Sequence, residues 1–198
     1  LNIVNGGIMN EGEISRKLGV KGIDRASEDA STAREMALAS ASGCGIHICH
    51  VSTRGSVAII RDAKRRGVKI TCETAPHYFT LTDESLLSRD ADYRMNPPLR
   101  EREDVAAVIK GIADGTIDVL ATDHAPHTSQ EKADFEKAPN GIIGLETLLP
   151  ISYTNLVRAG HIDIFRLFEM LTYNPASILR TAANRFNEGD RADFVLFD

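Results

Sequence analysis

Residues 117–127 have the sequence IDVLATDHAPH, in which a short apolar run ends in a carboxylate and two imidazoles. A run of this kind is typical of a buried strand, and side chains at the C-terminal end of such a strand lie at the mouth of an α/β barrel. Asp123, His124 and His127 are residue types that serve metal-assisted hydrolases. An aspartate after a strand also caps helices, so this stretch alone leaves a polar turn as an equal alternative.

A second strand that ends in a histidine favours the metal site. Residues 46–53 have the sequence IHICHVST, which places His50 after another short apolar run. Strand alternation puts His50 on the face opposite to His47 and Cys49. Since His50 and Asp123 can reach one ion only from parallel strands of the same sheet, we expect that arrangement.

The order of predicted elements supports a parallel sheet. Strands are predicted to end at His50 and to cover 68–74, 117–122 and 192–197. Helices are predicted over 31–42, 55–66, 103–114, 145–157, 162–171 and 174–182, while 1–27 are predicted to be an extended surface loop and 83–100 irregular. Alternating strands and helices predict either a doubly wound sheet or part of a (β/α) barrel. No glycine-rich phosphate loop follows a strand, which favours the barrel.

Composition excludes several classes of function. The 198 residues are 42% hydrophobic and 26% charged, which is ordinary for a globular domain. A net charge of −5 without a basic stripe argues against nucleic-acid binding. No apolar run approaches the roughly 20 residues that span a bilayer. Three cysteines without a CxxC pair, and an opening without signal-peptide features, predict a cytoplasmic protein.

Five motifs together carry a resemblance to a known family. They are HVST at 50–53, CETAPH at 72–77, MNPPLR at 95–100, DGTID at 114–118 and ATDHAPH at 121–127. In this order they resemble the bacterial class I dihydroorotases of the amidohydrolase superfamily. The resemblance implies that residues 1–185 are the C-terminal portion of a (β/α)8 barrel, with its strands six to eight, and that residues 186–198 begin a small β-domain. It also implies that further metal ligands lie on earlier strands, upstream of this chain.

The resemblance implies roles for individual residues. His50 matches a metal ligand on the sixth strand, and Asp123 matches an eighth-strand ligand that is also the catalytic proton shuttle. The implied cofactor is one or two zinc ions. Substrate-binding positions are implied for Asn96, His127, Asn140 and Gly141. His127 is expected to contact a substrate carboxylate, and Asn140 stands where the family often has a phenylalanine.

Other histidines and cysteines have simpler interpretations. His47 is expected to be structural because alternation turns it away from the site. His77 follows a strand and could face the site. His124 is expected to contact the residues that bind the metal and not to bind the metal itself. Cys49 and Cys72 are expected to be small buried hydrophobic residues.

The implied activity is the interconversion of L-dihydroorotate and N-carbamoyl-L-aspartate in pyrimidine synthesis. One alternative is another cyclic amidase, such as a dihydropyrimidinase, hydantoinase or allantoinase. His127 argues against it, because a donor four residues after Asp123 suits a substrate with a free carboxylate. The other alternative is a catalytically inactive subunit that scaffolds aspartate transcarbamoylase. A homodimer is the expected assembly.

Overall fold

The computed structural model describes residues 4, 6–181 and 187–196. The strands in this part of the chain are β1 (Met9–Asn10), β2 (Gly22–Ile23), β3 (Ile46–Ile48), β4 (Ile70–Thr74) and β5 (Val119–Leu120). The α-helices are α1 (Glu13–Leu18), α2 (Ala26–Ser42), α3 (Arg54–Arg65), α4 (Pro76–Thr80), α5 (Arg102–Ala113), α6 (Leu148–Ser152), α7 (Ile164–Phe168) and α8 (Asn174–Ile178). Short 3-10 helices cover Asp83–Ser88 and Ala91–Tyr93, and π-helical segments Tyr153–Val157 and Glu169–Tyr173 continue α6 and α7.

The central sheet has the strand order β3-β4-β5, and both pairings are parallel, as predicted. Ile70 and Cys72 of β4 and Leu120 of β5 turn one face of this sheet towards the hydrophobic core. The same core contains fully buried residues of the surrounding helices: Val57, Ile60, Val108, Ile112, Leu156, Leu167 and Met170. This sheet and its helices form an α/β fold.

Helix α3 illustrates how local sequence sets the elements. The Thr53 side chain accepts a hydrogen bond from the Ser56 amide and so caps the first turn. Val57, Ile60 and Ala63 recur at helical spacing and are buried. Gly67 follows the helix with a φ of 80°, a conformation that glycine adopts without a steric penalty. This turn lets the chain reverse after α3, so that β4 runs in the same direction as β3.

Residues 6–27 are not the extended surface loop that was predicted for residues 1–27, of which residues 1–3 and 5 lie outside the described part of the chain. There β1 and β2 pair in parallel around α1, and Met9 and Asn10 are fully buried. Met9 belongs to a second core cluster that includes Leu86 and Leu99. The prediction was wrong because these contacts join distant parts of the chain and leave no local periodicity.

Smaller corrections concern element ends. Helix α2 begins at Ala26, five residues before the predicted start, and α4 lies where no helix was predicted. The last helix of the described residues ends at Ile178, because Arg180 has a left-handed φ of 54°. Position 182, where this helix was predicted to end, lies outside the described residues. A strand was predicted over 192–197, but residues 192–196 are not in a strand, and residue 197 lies outside the described residues. Among the described helices, none has the length and apolarity to cross a bilayer.

Candidate active site

His50 and Asp123 meet at the C-terminal edge of the central sheet. His50 follows β3 and Asp123 follows β5, and His50 Nε2 lies 3.3 Å from Asp123 Oδ1. Strand β4 lies between the two strands, so the side chains converge across its end. The expected convergence of this imidazole and this carboxylate is therefore observed, while their role as metal ligands stays a prediction.

Both residues have an uncommon backbone conformation. The φ angles are 56° at His50 and 50° at Asp123, in the left-handed region that non-glycine residues rarely occupy. Neighbouring hydrogen bonds hold these turns: the Val51 amide donates to the Glu73 carbonyl at 2.9 Å, and the Ala121 amide donates to the Thr74 carbonyl at 2.9 Å. Strained residues of this kind cluster at functional sites, where the surrounding structure fixes them.

Glu73 is the residue at this site that the sequence did not predict. Its Oε1 lies 3.8 Å from His50 Nε2 and its Oε2 lies 3.3 Å from His47 Nε2. The predicted separation of His47 and His50 onto opposite faces is therefore wrong, because the left-handed turn at His50 ends the strand alternation. The sequence feature that could have identified Glu73 was the position of an ionisable residue inside a strand predicted to be buried.

Burial and charge act in opposite directions on the two carboxylates. Burial alone would raise the pKa of Glu73, but hydrogen bonding to His47 and the charges of His47 and His50 lower it overall. Burial raises the pKa of Asp123, and Glu73 adds to this effect while His50 opposes it.

A second group of donors adjoins the first. Ligand atoms of His47, Cys49 and Glu73 all lie within 4.8 Å of one another. His47 Nδ1 is also 2.8 Å from Thr71 Oγ1, so both ring nitrogens have partners, while the structural role expected for His47 stays a prediction. Cys49 is exposed, so its prediction as a buried residue was wrong: it follows β3 on the polar side, where Glu73 lies. Cys72 is buried as expected, and burial raises the pKa of its thiol to about 12.

His77 is buried next to the site. Its side chain lines a cavity of about 120 Å³ together with Thr122 and Gly144. Its Nε2 has no hydrogen-bond partner among the described residues. Burial, assisted by the charge of His50, lowers the pKa of His77 to about 4. His124 Nδ1 accepts a hydrogen bond from the Gly144 amide at 3.0 Å, and its expected supporting role stays a prediction.

The low pKa of His77 predicts a pH-dependent stability. Because its folded-state pKa lies below the ordinary 6.5, the unfolded chain binds protons more readily, and the free energy of unfolding should fall as pH falls from 6.5 to about 4. The contribution is fully present above 6.5 and amounts to roughly 3 kcal/mol. Urea denaturation in EDTA across this range should show a flatter pH dependence for His77→Gln. His161→Gln, at an exposed position, is the control, and equal slopes for both variants would refute the assignment.

Three of the four predicted substrate-binding residues lie together. His127 Nε2 is 3.1 Å from the Asn140 carbonyl oxygen. Gly141 has a φ of 149°, and a Cβ there would collide with the Ala125 carbonyl and come within 3.0 Å of the His127 ring. Asn96, with His50, lines a cavity of about 310 Å³.

Comparison with known proteins decides the family. The profile described as "Amidohydrolase family" matches residues 7–198. The chain belongs to the amidohydrolase family. Members of this family are metal-dependent, and a carboxylate beside an imidazole at the end of a parallel sheet is in keeping with that chemistry.

Among its relatives, this amidohydrolase chain is similar to curated dihydroorotases. It is 49% identical over 197 residues to the dihydroorotase of Bacillus thuringiensis (strain Al Hakam), covering 99% of this chain and 46% of that protein. It is 51% identical over 199 residues to the dihydroorotase of Trichlorobacter lovleyi, covering 100% of this chain and 47% of that protein. The resemblance carried by the five motifs is confirmed. The chain spans about half the length of these relatives.

Solved structures similar to this amidohydrolase chain include hydantoinases. The L-hydantoinase (dihydropyrimidinase) of Arthrobacter aurescens has a TM-score of 0.73 and 31% identity, covering 77% of this chain and 35% of that one. A D-hydantoinase of Bacillus sp. AR9 has a TM-score of 0.78 and 26% identity, covering 91% of this chain and 41% of that one.

Proposed function

We propose that the protein to which this chain belongs is a zinc-dependent dihydroorotase, which interconverts L-dihydroorotate and N-carbamoyl-L-aspartate. The 3.3 Å approach of His50 to Asp123 carries this proposal. Identity supports the choice of substrate, since it is 49–51% to the dihydroorotases but 26–31% to the two hydantoinases. In this proposal residues 1–185 supply strands six to eight of the barrel, residues 186–198 begin a β-domain, and the enzyme is a cytoplasmic homodimer.

The donor atoms of His50 and Asp123 fit zinc. A neutral imidazole nitrogen and a carboxylate oxygen are both common zinc ligands. Catalytic zinc sites usually have three protein ligands, so this pair is part of a site that other residues of the protein complete, for one or two ions. Bound zinc would polarise the scissile carbonyl and lower the pKa of water towards about 7.

Asp123 would move the proton in this reaction. Its carboxylate would accept the proton of the attacking water and then donate it to the ring nitrogen that leaves as the cyclic amide opens. The reverse reaction would use the same group in the opposite order. His50 would bind the same metal beside Asp123.

The substrate would be held by the four predicted residues. His127 would donate to the substrate carboxylate, Asn96 would bind from the cavity that it shares with His50, and the backbone at Asn140 and Gly141 would lie beside the ring. The absence of a Gly141 Cβ leaves room for the His127 ring to approach.

The substrate assignment is tested with full-length, zinc-loaded protein. We expect turnover of dihydroorotate to exceed that of hydantoin and dihydrouracil by about 100-fold in kcat/KM, which corresponds to about 2.7 kcal/mol. A preference for hydantoin would replace the proposal with a hydantoinase activity. Absence of turnover with all three substrates, in protein that retains zinc, would favour the alternative in which the protein is a catalytically inactive subunit that scaffolds aspartate transcarbamoylase.

Lys132 is expected to hold in place the loop that carries Asn140 and Gly141, which we call the substrate-binding loop. Its Nζ donates to the carbonyl oxygens of Ala91, Pro139 and Gly141 at 3.0, 3.0 and 2.8 Å. Lys132→Met removes all three hydrogen bonds, so KM for dihydroorotate should rise roughly tenfold, or about 1.4 kcal/mol, with little change in kcat. Steady-state kinetics of Lys137→Met, an exposed lysine of the same loop, provide the control. An unchanged KM for Lys132→Met would contradict the role.

A further inference from the structure

A buried ion pair lies beside His50. The guanidinium of Arg100 is 2% exposed and its Nη2 lies 3.3 Å from Glu28 Oε2. Removing two charges from water is costly unless further hydrogen bonds satisfy them. A pair of this kind is weak evidence for stability in itself.

Arg100 uses all three of its guanidinium nitrogens. Nε donates to Ser52 Oγ at 3.1 Å, Nη1 donates to Asn10 Oδ1 at 3.0 Å and Nη2 donates to Glu28. The planar group therefore joins three separate segments in one fixed geometry, which a lysine ammonium could not reproduce.

Glu28 holds the segment that directly follows His50 and Val51. Its Oε1 accepts hydrogen bonds from the backbone amides of Ser52 at 2.9 Å and Thr53 at 3.1 Å. Its Oε2 accepts a further bond from the Ser52 hydroxyl. Because His50 has a left-handed φ, the turn needs support from outside the segment, and Glu28 of α2 provides it.

Arg100 connects this turn to the segment that carries Asn96. Arg100 follows Asn96 by four residues, and its carbonyl accepts a hydrogen bond from the Asp83 amide at 2.9 Å. Glu28, Arg100, His50 and Asn96 all line the same cavity of about 310 Å³. The ion pair is thus a rigid link between a predicted metal ligand and a predicted substrate-binding residue.

We propose that Glu28 and Arg100 are positioning residues, which hold His50 in its metal-binding geometry and fix its placement relative to Asn96. The inference rests on the proposed function for the identity of the metal and substrate. Neither residue has to touch the metal or the substrate, because both act through the Ser52–Thr53 turn.

The test measures zinc affinity by chelator competition in the full-length protein. Arg100→Lys and Glu28→Gln should each weaken zinc binding by about 10- to 100-fold, the range typical of residues that orient metal ligands. The matched controls Arg102→Lys and Glu84→Gln alter a neighbouring ion pair of the same type, whose side chains are 74% and 47% exposed. These controls should retain wild-type affinity.

Folded Arg100→Lys or Glu28→Gln protein with wild-type zinc affinity would overturn the proposal, whatever its thermal stability. If both variants fail to fold, Ser52→Ala decides, because it removes the hydroxyl that bonds to both charges and keeps the pair itself. Weakened zinc binding in Ser52→Ala would then support the link, and wild-type binding would overturn it. The zinc measurement needs no substrate, so it remains decisive even where dihydroorotate proves not to be the substrate.

Discussion

Asp123→Asn in the full-length, zinc-loaded protein is expected to lower kcat for dihydroorotate by about 10²- to 10⁴-fold, the range that a general acid–base group contributes. The amide preserves the shape of the side chain but cannot accept and return a proton. Steady-state kinetics give the loss, and circular dichroism with thermal unfolding should show an intact fold.

Asp62→Asn makes the same chemical change on the exposed surface of α3, where Asp62 pairs with Arg65 and Arg66. It should leave kcat unchanged. Asp123→Asn protein that retains more than about a tenth of wild-type kcat would remove Asp123 from the catalytic role, since even a modest acid–base contribution exceeds that.

Ile60→Ala is expected to cause the largest loss of stability, about 2–5 kcal/mol in the free energy of unfolding. Ile60 is 0% exposed on α3 and belongs to the core beneath the central sheet, so truncation leaves a cavity there. Urea denaturation monitored by circular dichroism measures the change.

Leu38→Ala is the matched control, because Leu38 is 56% exposed on α2. Its effect should remain within about 0.5 kcal/mol, as is usual for surface substitutions. Equal losses from the two substitutions would mean that Ile60 is not in a packed core.

Local patterns predicted the central part of the fold. Val57, Ile60 and Ala63 recur at helical spacing, and Gly67 marks the end of their helix, so α3 was found within a residue or two. Buried Met9 and Asn10 were missed because their environment is built from distant residues. Asn10, for example, bonds to Arg100, which lies 90 positions away along the chain.

The same distinction holds at the site. His50 and Asp123 could be predicted because each follows a recognisable strand, and parallel strands deliver their ends to one edge. The roles of Glu73 and of the Glu28–Arg100 pair could not be predicted. The burial of a charged side chain depends on its partners in the folded chain and not on the residues next to it in the sequence. The left-handed turn at His50 also made the assignment of His47 and His50 to opposite faces of the strand wrong.

The most direct test of the joint role of His50 and Asp123 is anomalous diffraction at the zinc edge from crystals of the full-length protein. We predict a zinc peak bound by His50 Nε2 and by the Asp123 carboxylate. Zinc bound to His47, Cys49 and Glu73, with none between His50 and Asp123, would contradict it.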